Sequence, residues 1–180
     1  PLCLYVSSSA VLVRYAAGDY DTVIDLCRHL IDMDARYGFS LGRRLLGAAY
    51  LQVGRTREAL GEMETAVREF REPVLLAWLA HARAVTGDKA GASSLVKELA
   101  AIGQTRHVPA YHFALAHVGL GDVDTAFAAL EQACLDRDPH LAQVAVEPRF
   151  IPLRSDPRYG QLLARLGLDR QGRPHDAHAS

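Results

Sequence analysis

Lysine is almost absent from this 180-residue chain. Only Lys89 and Lys97 stand among 20 basic residues, which face 21 acidic ones for a net charge of −1. That balance lacks the basic footprint nucleic acid or an anionic membrane surface selects, so direct binding to either is not expected. Cysteine is scarce too. Cys3, Cys27 and Cys134 form no CxxC pair and no metal-ligand spacing, and an odd count does not make a disulfide framework. They read as small hydrophobes in a reducing, cytoplasmic setting. No apolar run approaches the ~20 residues of a membrane span. The apolar stretch from Leu2 to Val13 has no basic segment before it and leads straight into Arg14, which fits a helix better than a secretory signal. There is no phosphate loop, GxGxxG, GxSxG or HExxH. The expectation is a non-enzymatic chain with no cofactor and no bound metal.

What the sequence does hold is a recurring phrase, in which an apolar run closes on glycine and a second run places a small residue five positions on. Its glycines are Gly18, Gly54, Gly87 and Gly121, spaced 36, 33 and 34 apart, and a period of this size marks a stacked-repeat architecture. At 49% hydrophobic and 23% charged residues the chain has the composition of a soluble protein with an ordinary core. Helices are predicted over 4–17, 20–33, 39–53, 56–69, a pair from Pro73, then 108–120 and 123–136. In the second, Val23, Leu26, Cys27 and Leu30 fall at i, i+3, i+4 and i+7, so Cys27 belongs to a core face. Pro73 suits the first turn of a helix, where its missing N–H costs nothing.

The second pair is the most regular. In a unit starting at Ser40, Leu46, Gly47, Tyr50, Gly54, Ala59 and Ala66 occupy the seventh, eighth, eleventh, fifteenth, twentieth and twenty-seventh places. Gly47 and Ala59 would let two antiparallel helices approach closely, Tyr50 would fill the gap to the next helix, and Gly54 can take the positive φ of a tight helix end. This pattern resembles the tetratricopeptide repeat. The third unit matches with Leu76, Leu79, Ala80, Gly87, Ala92 and Leu99, although Arg83 replaces the tyrosine. The fourth matches with Phe113, Ala114, His117, Gly121, Ala126 and Ala133. The first departs most, with Ala10, Val11 and Arg14 in the early places. The resemblance implies an all-α, right-handed α-solenoid with repeats at about 4–37, 40–73, 73–106 and 107–140.

The period stops after Asp138-Pro139. Asp138 can cap a helix there, with Leu141, Val144 and Ala145 on its apolar side, and a last helix carries Leu162, Leu163 and Leu166 to Gly167. Residues 139–168 therefore read as a capping helix pair, since a terminal repeat must cover its outer face. This makes ten helices in one domain, 1–168, with 169–180 as a disordered tail. The phrase from Glu147 to Leu168 is similar to the closing segment of repeat regions that follow effector domains in bacterial winged-helix regulators, adenylate cyclases and serine/threonine kinases, with Glu147 where aspartate is usual. Because the chain begins at Pro1 rather than methionine, it is expected to be part of a longer protein.

Few residues point to chemistry. Asp19, Asp88 and Asp122 recur at one repeat place, which fits helix N-caps; the pair Asp19 and Asp21 lacks the remaining ligands of a calcium loop. His107, His112 and His117 are five apart, offset by about 140° on a helix, and do not share a face for a metal. His175 and His178 have no partner spacing either. Arg149, Arg154 and Arg158 read as cations pairing with carboxylates over the cap, with phosphate binding at the helix from Pro157 as the alternative. Trp78 reads as core packing.

The resemblance places a groove along the first helix of each pair. Its lining maps to Ser8, Leu12 and Tyr15, then Arg44, Ala48, Leu51 and Gln52, then Ala77 and His81, then Tyr111, Leu115 and Val118. Members that clamp a C-terminal carboxylate carry lysine and asparagine at two of these places, whereas this chain has Ser8 with Leu12 and Arg44 with Ala48, so a clamp of that kind is not expected. The groove reads as apolar and aromatic with one fixed cation, suited to a protein or peptide segment anchored on Arg44, Tyr111 and Leu115. The expected function is a non-catalytic protein-interaction scaffold, the C-terminal regulatory or assembly region of a bacterial signalling or transcription protein. A homodimerisation element, a small-molecule sensor and an accessory domain to an enzyme upstream remain open.

Overall fold

The computed structural model describes residues 10–33, 39–169 and 173. Every regular element among them longer than a single bridge is helical: α1 (10–16), α2 (Tyr20–Met33), α3 (Phe39–Gln52), α4 (Thr56–Glu69), α5 (Pro73–Val85), α6 (Lys89–Gly103), α7 (Ala110–Leu120), α8 (Val123–Leu135), the short 3-10 helices η1 (Pro139–Gln143) and η2 (Pro148–Leu153), and α9 (Pro157–Arg165). Successive helices from α2 to α8 pack on one another, and α3, α5 and α7 also touch in series, as in a solenoid.

The recurring glycines build the turns. Gly18, Gly54, Gly87 and Gly121 have φ of 79°, 77°, 101° and 78°, a left-handed backbone that glycine adopts without a Cβ penalty. The residue after each reaches back five positions: the N–H groups of Asp19, Arg55, Asp88 and Asp122 donate to the carbonyls of Arg14, Tyr50, Arg83 and His117 at 2.8–3.0 Å. This is the Schellman closure of a helix end. Asp88 and Asp122 then start the next helix, their Oδ1 atoms accepting from the N–H groups of Gly91 (2.8 Å) and Thr125 (3.2 Å). The same six-residue closure recurs at Asp138 N–H to Ala133 O, 2.9 Å, but there the left-handed position is Arg137, at φ 54°.

Small residues set the helix spacing. A Cβ on Gly47 would lie 2.8 Å from Met63 Cγ and 3.0 Å from Ala59 O, so α3 and α4 meet as closely as the repeat pattern implies. Gly119 does the same between α7 and α5, where a Cβ would lie 2.8 Å from His81 Cα. α5 is the central element: Leu75 to Ala82 is buried without a break. Cys27 is fully buried, and burial pushes its thiol up to about 12, as expected of a packing residue.

The cap differs from the expected helix pair. Residues 139–153 form two 3-10 helices instead of an α-helix, and α9 is the one α-helix of the cap. Pro139 and Pro148 each start a new short helix and Pro152, which lacks an N–H donor, lies inside the second, so the chain is restarted twice before α9 begins at Pro157. η2 packs on α7, and Phe150 and Leu153 at its end are fully buried. Of the expected tail, Asp169 and Arg173 are described and bond one another through the Arg173 N–H and Nε, both at 2.9 Å. The rest of that segment, and the expected helix from 4 to 9 with Ser8, lie outside the described residues.

Candidate functional site

The cap begins three of its segments with one local device. Asp138-Pro139-His140, Glu147-Pro148-Arg149 and Asp156-Pro157-Arg158 each place a carboxylate at the N-cap of a helix whose first residue is proline. In each, the carboxylate accepts the N–H two residues on, at 3.0, 3.2 and 2.9 Å, and also holds the basic side chain of that residue. His140 Nδ1 lies 2.7 Å from Asp138 Oδ1. Arg149 donates to Glu147 through Nε and Nη2 at 2.8 and 2.7 Å, and Arg158 to Asp156 at 3.1 and 2.8 Å. The arginines thus pair with carboxylates; Arg158 also reaches Asp124 on α8, and Arg154 donates to the Ala145 carbonyl.

The middle triplet is the one turned inward. The side chains of Arg149 and Glu147 are 1% and 5% exposed, and η2, which they open, packs on α7, itself in series with α5 and α3. The Arg149 guanidinium carbon sits 3.4 Å from the centre of the Trp78 ring on α5. Arg44 on α3 packs on the same ring at 5.0 Å. Tyr15 of α1 and Tyr111 of α7 lie within electrostatic range of the Glu147–Arg149 pair, and Tyr111 meets Phe150 edge to face at 5.4 Å. The first helix of every pair therefore contributes a side chain to one cluster around a single buried ion pair.

Electrostatics follow from that enclosure. Burial and the nearby Arg149 lower His81 to about 4, and its Nδ1 lies 3.1 Å from the Leu115 carbonyl. Burial and then His140 lower His112 to about 4 as well. Both rings are neutral at pH 7. Burial works to raise Glu147, but the charge and hydrogen bonds of Arg149 hold it below the usual carboxylate range. Burial raises both tyrosines. Burial, and the like charge of Arg149 beside it, bring Arg44 down to about 10, still a cation at pH 7. The cluster is short of acceptors: Tyr15 OH, Tyr111 OH, Arg44 Nε and Arg149 Nη1 are all sealed from solvent with no hydrogen-bond partner among the described residues.

The structure brings most of the expected groove residues together, but inside the molecule rather than on an open surface. Tyr15, Ala48, Ala77, His81, Tyr111, Leu115 and Val118 are buried. Tyr111 and Leu115 are consequently frame residues and not contact anchors: Tyr111 lies under Phe150 and His140, and Leu115 holds His81 through its carbonyl. Leu12, Arg44 and Leu51 are partly exposed and Gln52 is exposed. On α3, Arg44, Leu51 and Gln52 stand at i, i+7 and i+8 and so share a face. Next to α1 a cavity of about 380 Å3 opens between Leu12, Val13, Tyr15 and Ala16 on one side and Gln143, Val146 and Glu147 on the other.

Sequence reasoning missed the central role of Glu147 and Arg149. The recurrence of acid-Pro-base was a readable signal for the pairing, though not for which copy is buried. Among the described residues no group of three or more metal-ligating side chains converges, and no helix is long and apolar enough to cross a membrane. No family model, curated protein or solved structure matches the chain.

Proposed function

We propose that this chain is a non-catalytic interaction module of the tetratricopeptide type, a right-handed solenoid serving as the regulatory or assembly region of a larger bacterial signalling or transcription protein. The observation that carries this reading is Arg44 on α3, which has no ion pair or hydrogen bond among the described residues, packs on Trp78 and stands on one face with partly exposed Leu51. A protein segment would lie along the α3 face, with its apolar side chains on Leu51 and toward Leu12 and its polar groups on Arg44 and Gln52. The cap segment from Glu147 to Phe150 fills the deeper part of that side, so recognition would take place above it. Selection of the purified chain against a displayed peptide library tests this. Wild type should enrich a common short motif, and Arg44→Glu with Leu51→Ala should lose that motif while keeping the helical circular dichroism spectrum. Enrichment of the same motif by the double variant would place the binding surface elsewhere.

The apolar cavity beside α1 favours a second reading, a sensor of a small molecule. Its volume of about 380 Å3 falls in the range of ligand sites, and its lining is mostly apolar with Gln143 and Glu147 as polar groups. Native mass spectrometry of gently purified protein would then show an added mass that Val13→Arg abolishes; a bare protein mass under all growth conditions would count against it.

A further inference from the structure

The seam between α1 and the cap leaves two needs open at one place. Leu12, Val13 and Ala16 form an apolar wall of the cavity of about 380 Å3, and Val146 stands on the other wall. Val13 and Val146 are 69% and 46% exposed, so apolar surface faces water on both sides. Tyr15 belongs to the same lining and is itself 3% exposed. Its hydroxyl has no hydrogen-bond partner among the described residues, although a buried tyrosine normally finds one. Arg149 and Glu147 both act on that phenol, and Glu147 is a residue of the opposite wall, so the hydroxyl lies at the inner end of the cavity, between the two walls. Burial keeps the phenol protonated, which makes it a donor taken out of water without a replacement acceptor.

The rest of the lining decides which head group fits. Glu147 is the charged residue of the walls, and its carboxylate already accepts the backbone N–H, Nε and Nη2 of Arg149. Because that pair is neutral as a whole, neither an anion nor a cation recovers the hydration it gives up on entering. An uncharged acceptor meets no such cost. A carbonyl oxygen takes the Tyr15 O–H, and an attached apolar chain covers Leu12, Val13 and Val146. Gln143, exposed on the Glu147 side, supplies a further amide for the same head. We infer that this cavity binds an uncharged molecule joining an apolar chain to a carbonyl group, with the carbonyl held by the Tyr15 hydroxyl and the chain lying between α1 and Val146. This rests on the small-molecule sensor reading and names the class of molecule sensed. The walls come from opposite ends of the repeat array, so an occupant ties the first helix to the cap, as a sensor requires of its ligand.

Three probes of equal chain length and different head group test this by calorimetric titration of the whole chain at pH 7: octanamide, octanoate and octylammonium. Octanamide should bind saturably, and the two charged probes about tenfold more weakly or not at all. Tyr15→Phe should weaken octanamide binding about three- to tenfold, the range for one neutral hydrogen bond, and Val13→Arg should remove it. Because the hydroxyl has no partner to lose, Tyr15→Phe should leave the melting temperature of the unliganded chain no lower than wild type, which separates loss of a ligand contact from loss of structure. Equal binding of the three probes, tighter binding of a charged one, or an octanamide affinity unchanged in Tyr15→Phe overturns the assignment. A chain that does not bind octanamide overturns it as well. None of these results touches the sensor reading, which stands or falls on the mass retained by gently purified protein and removed by Val13→Arg. Octanamide binding by a protein of bare mass would instead keep the site and sink the sensor.

Discussion

Glu147-Pro148-Arg149 and Asp156-Pro157-Arg158 are nearly the same object in two places. Each starts a helix with an acid cap, a proline and a forked arginine pair, with bonds of similar length. Yet the first pair is sealed, with side chains 1% and 5% exposed, and the second stands at 39% and 24%. In water an ion pair of this kind contributes little, because the charges are already solvated. In the interior the two charges have given up their hydration and depend on each other, so the pair itself adds modest net stability while either half alone is costly. One local motif thus acts as a helix start in α9 and as the electrostatic centre of the molecule in η2.

The largest expected effect breaks the buried copy. Glu147→Gln should lower stability by about 3–5 kcal/mol in urea unfolding, because it strands Arg149 without its counter-charge. Replacing both members, Glu147→Leu with Arg149→Met, should restore much of the loss; a double variant as unstable as the single would mean that the pair is not the source of the cost.

The next effect is a pH dependence confined to the buried side. His81 and His112 stand at about 4 in the folded chain and near 6.5 when unfolded, so the unfolded state binds protons first. Their contribution is fully present above pH 6.5 and is lost as pH falls toward 4, by up to about 1.4 kcal/mol per pH unit for each ring. Unfolding free energies between pH 7 and 5 should decline, and His112→Phe should flatten the slope. A slope identical in the variant would show that His112 does not titrate as placed.

Smaller still is the turn that leads into the cap. Arg137 occupies the left-handed position that glycine holds in the other turns with this closure, and an L-residue pays about 1 kcal/mol or more there. Arg137→Gly should stabilise the fold by roughly 0.5–1 kcal/mol once the added freedom of the unfolded chain is counted, and so raise the melting temperature; an unchanged or lower midpoint would show that the Arg137 side chain contributes more than its backbone costs. At the end of the series, Asp156→Asn should leave the thermal midpoint almost unmoved, since asparagine still caps α9 and the exposed pair has little to lose. A drop comparable to that of Glu147→Gln would collapse the distinction between the two triplets.

Much of the frame was legible because it depends on short-range rules. The glycines, the aspartate caps and the close approach at Gly47 follow from sterics within one or two turns, and the structure carries each of them. The groove was legible only as a set of positions. Tyr111 and Leu115 do stand on the expected side of their helix, yet they are buried because a segment some 30 to 40 residues downstream returns over that side, and no periodicity encodes that return.

By itself, then, the sequence determined the repeat unit, its turns, the helical class and the pairing of each acid with the base two residues later, all of them contacts between near neighbours along the chain. Only the tertiary structure decided which acid-Pro-base triplet became buried, which groove residues stayed open and which arginines meet the Trp78 ring. Those outcomes depend on desolvation, which is set by what the rest of the chain places around a residue and not by the residues beside it in sequence.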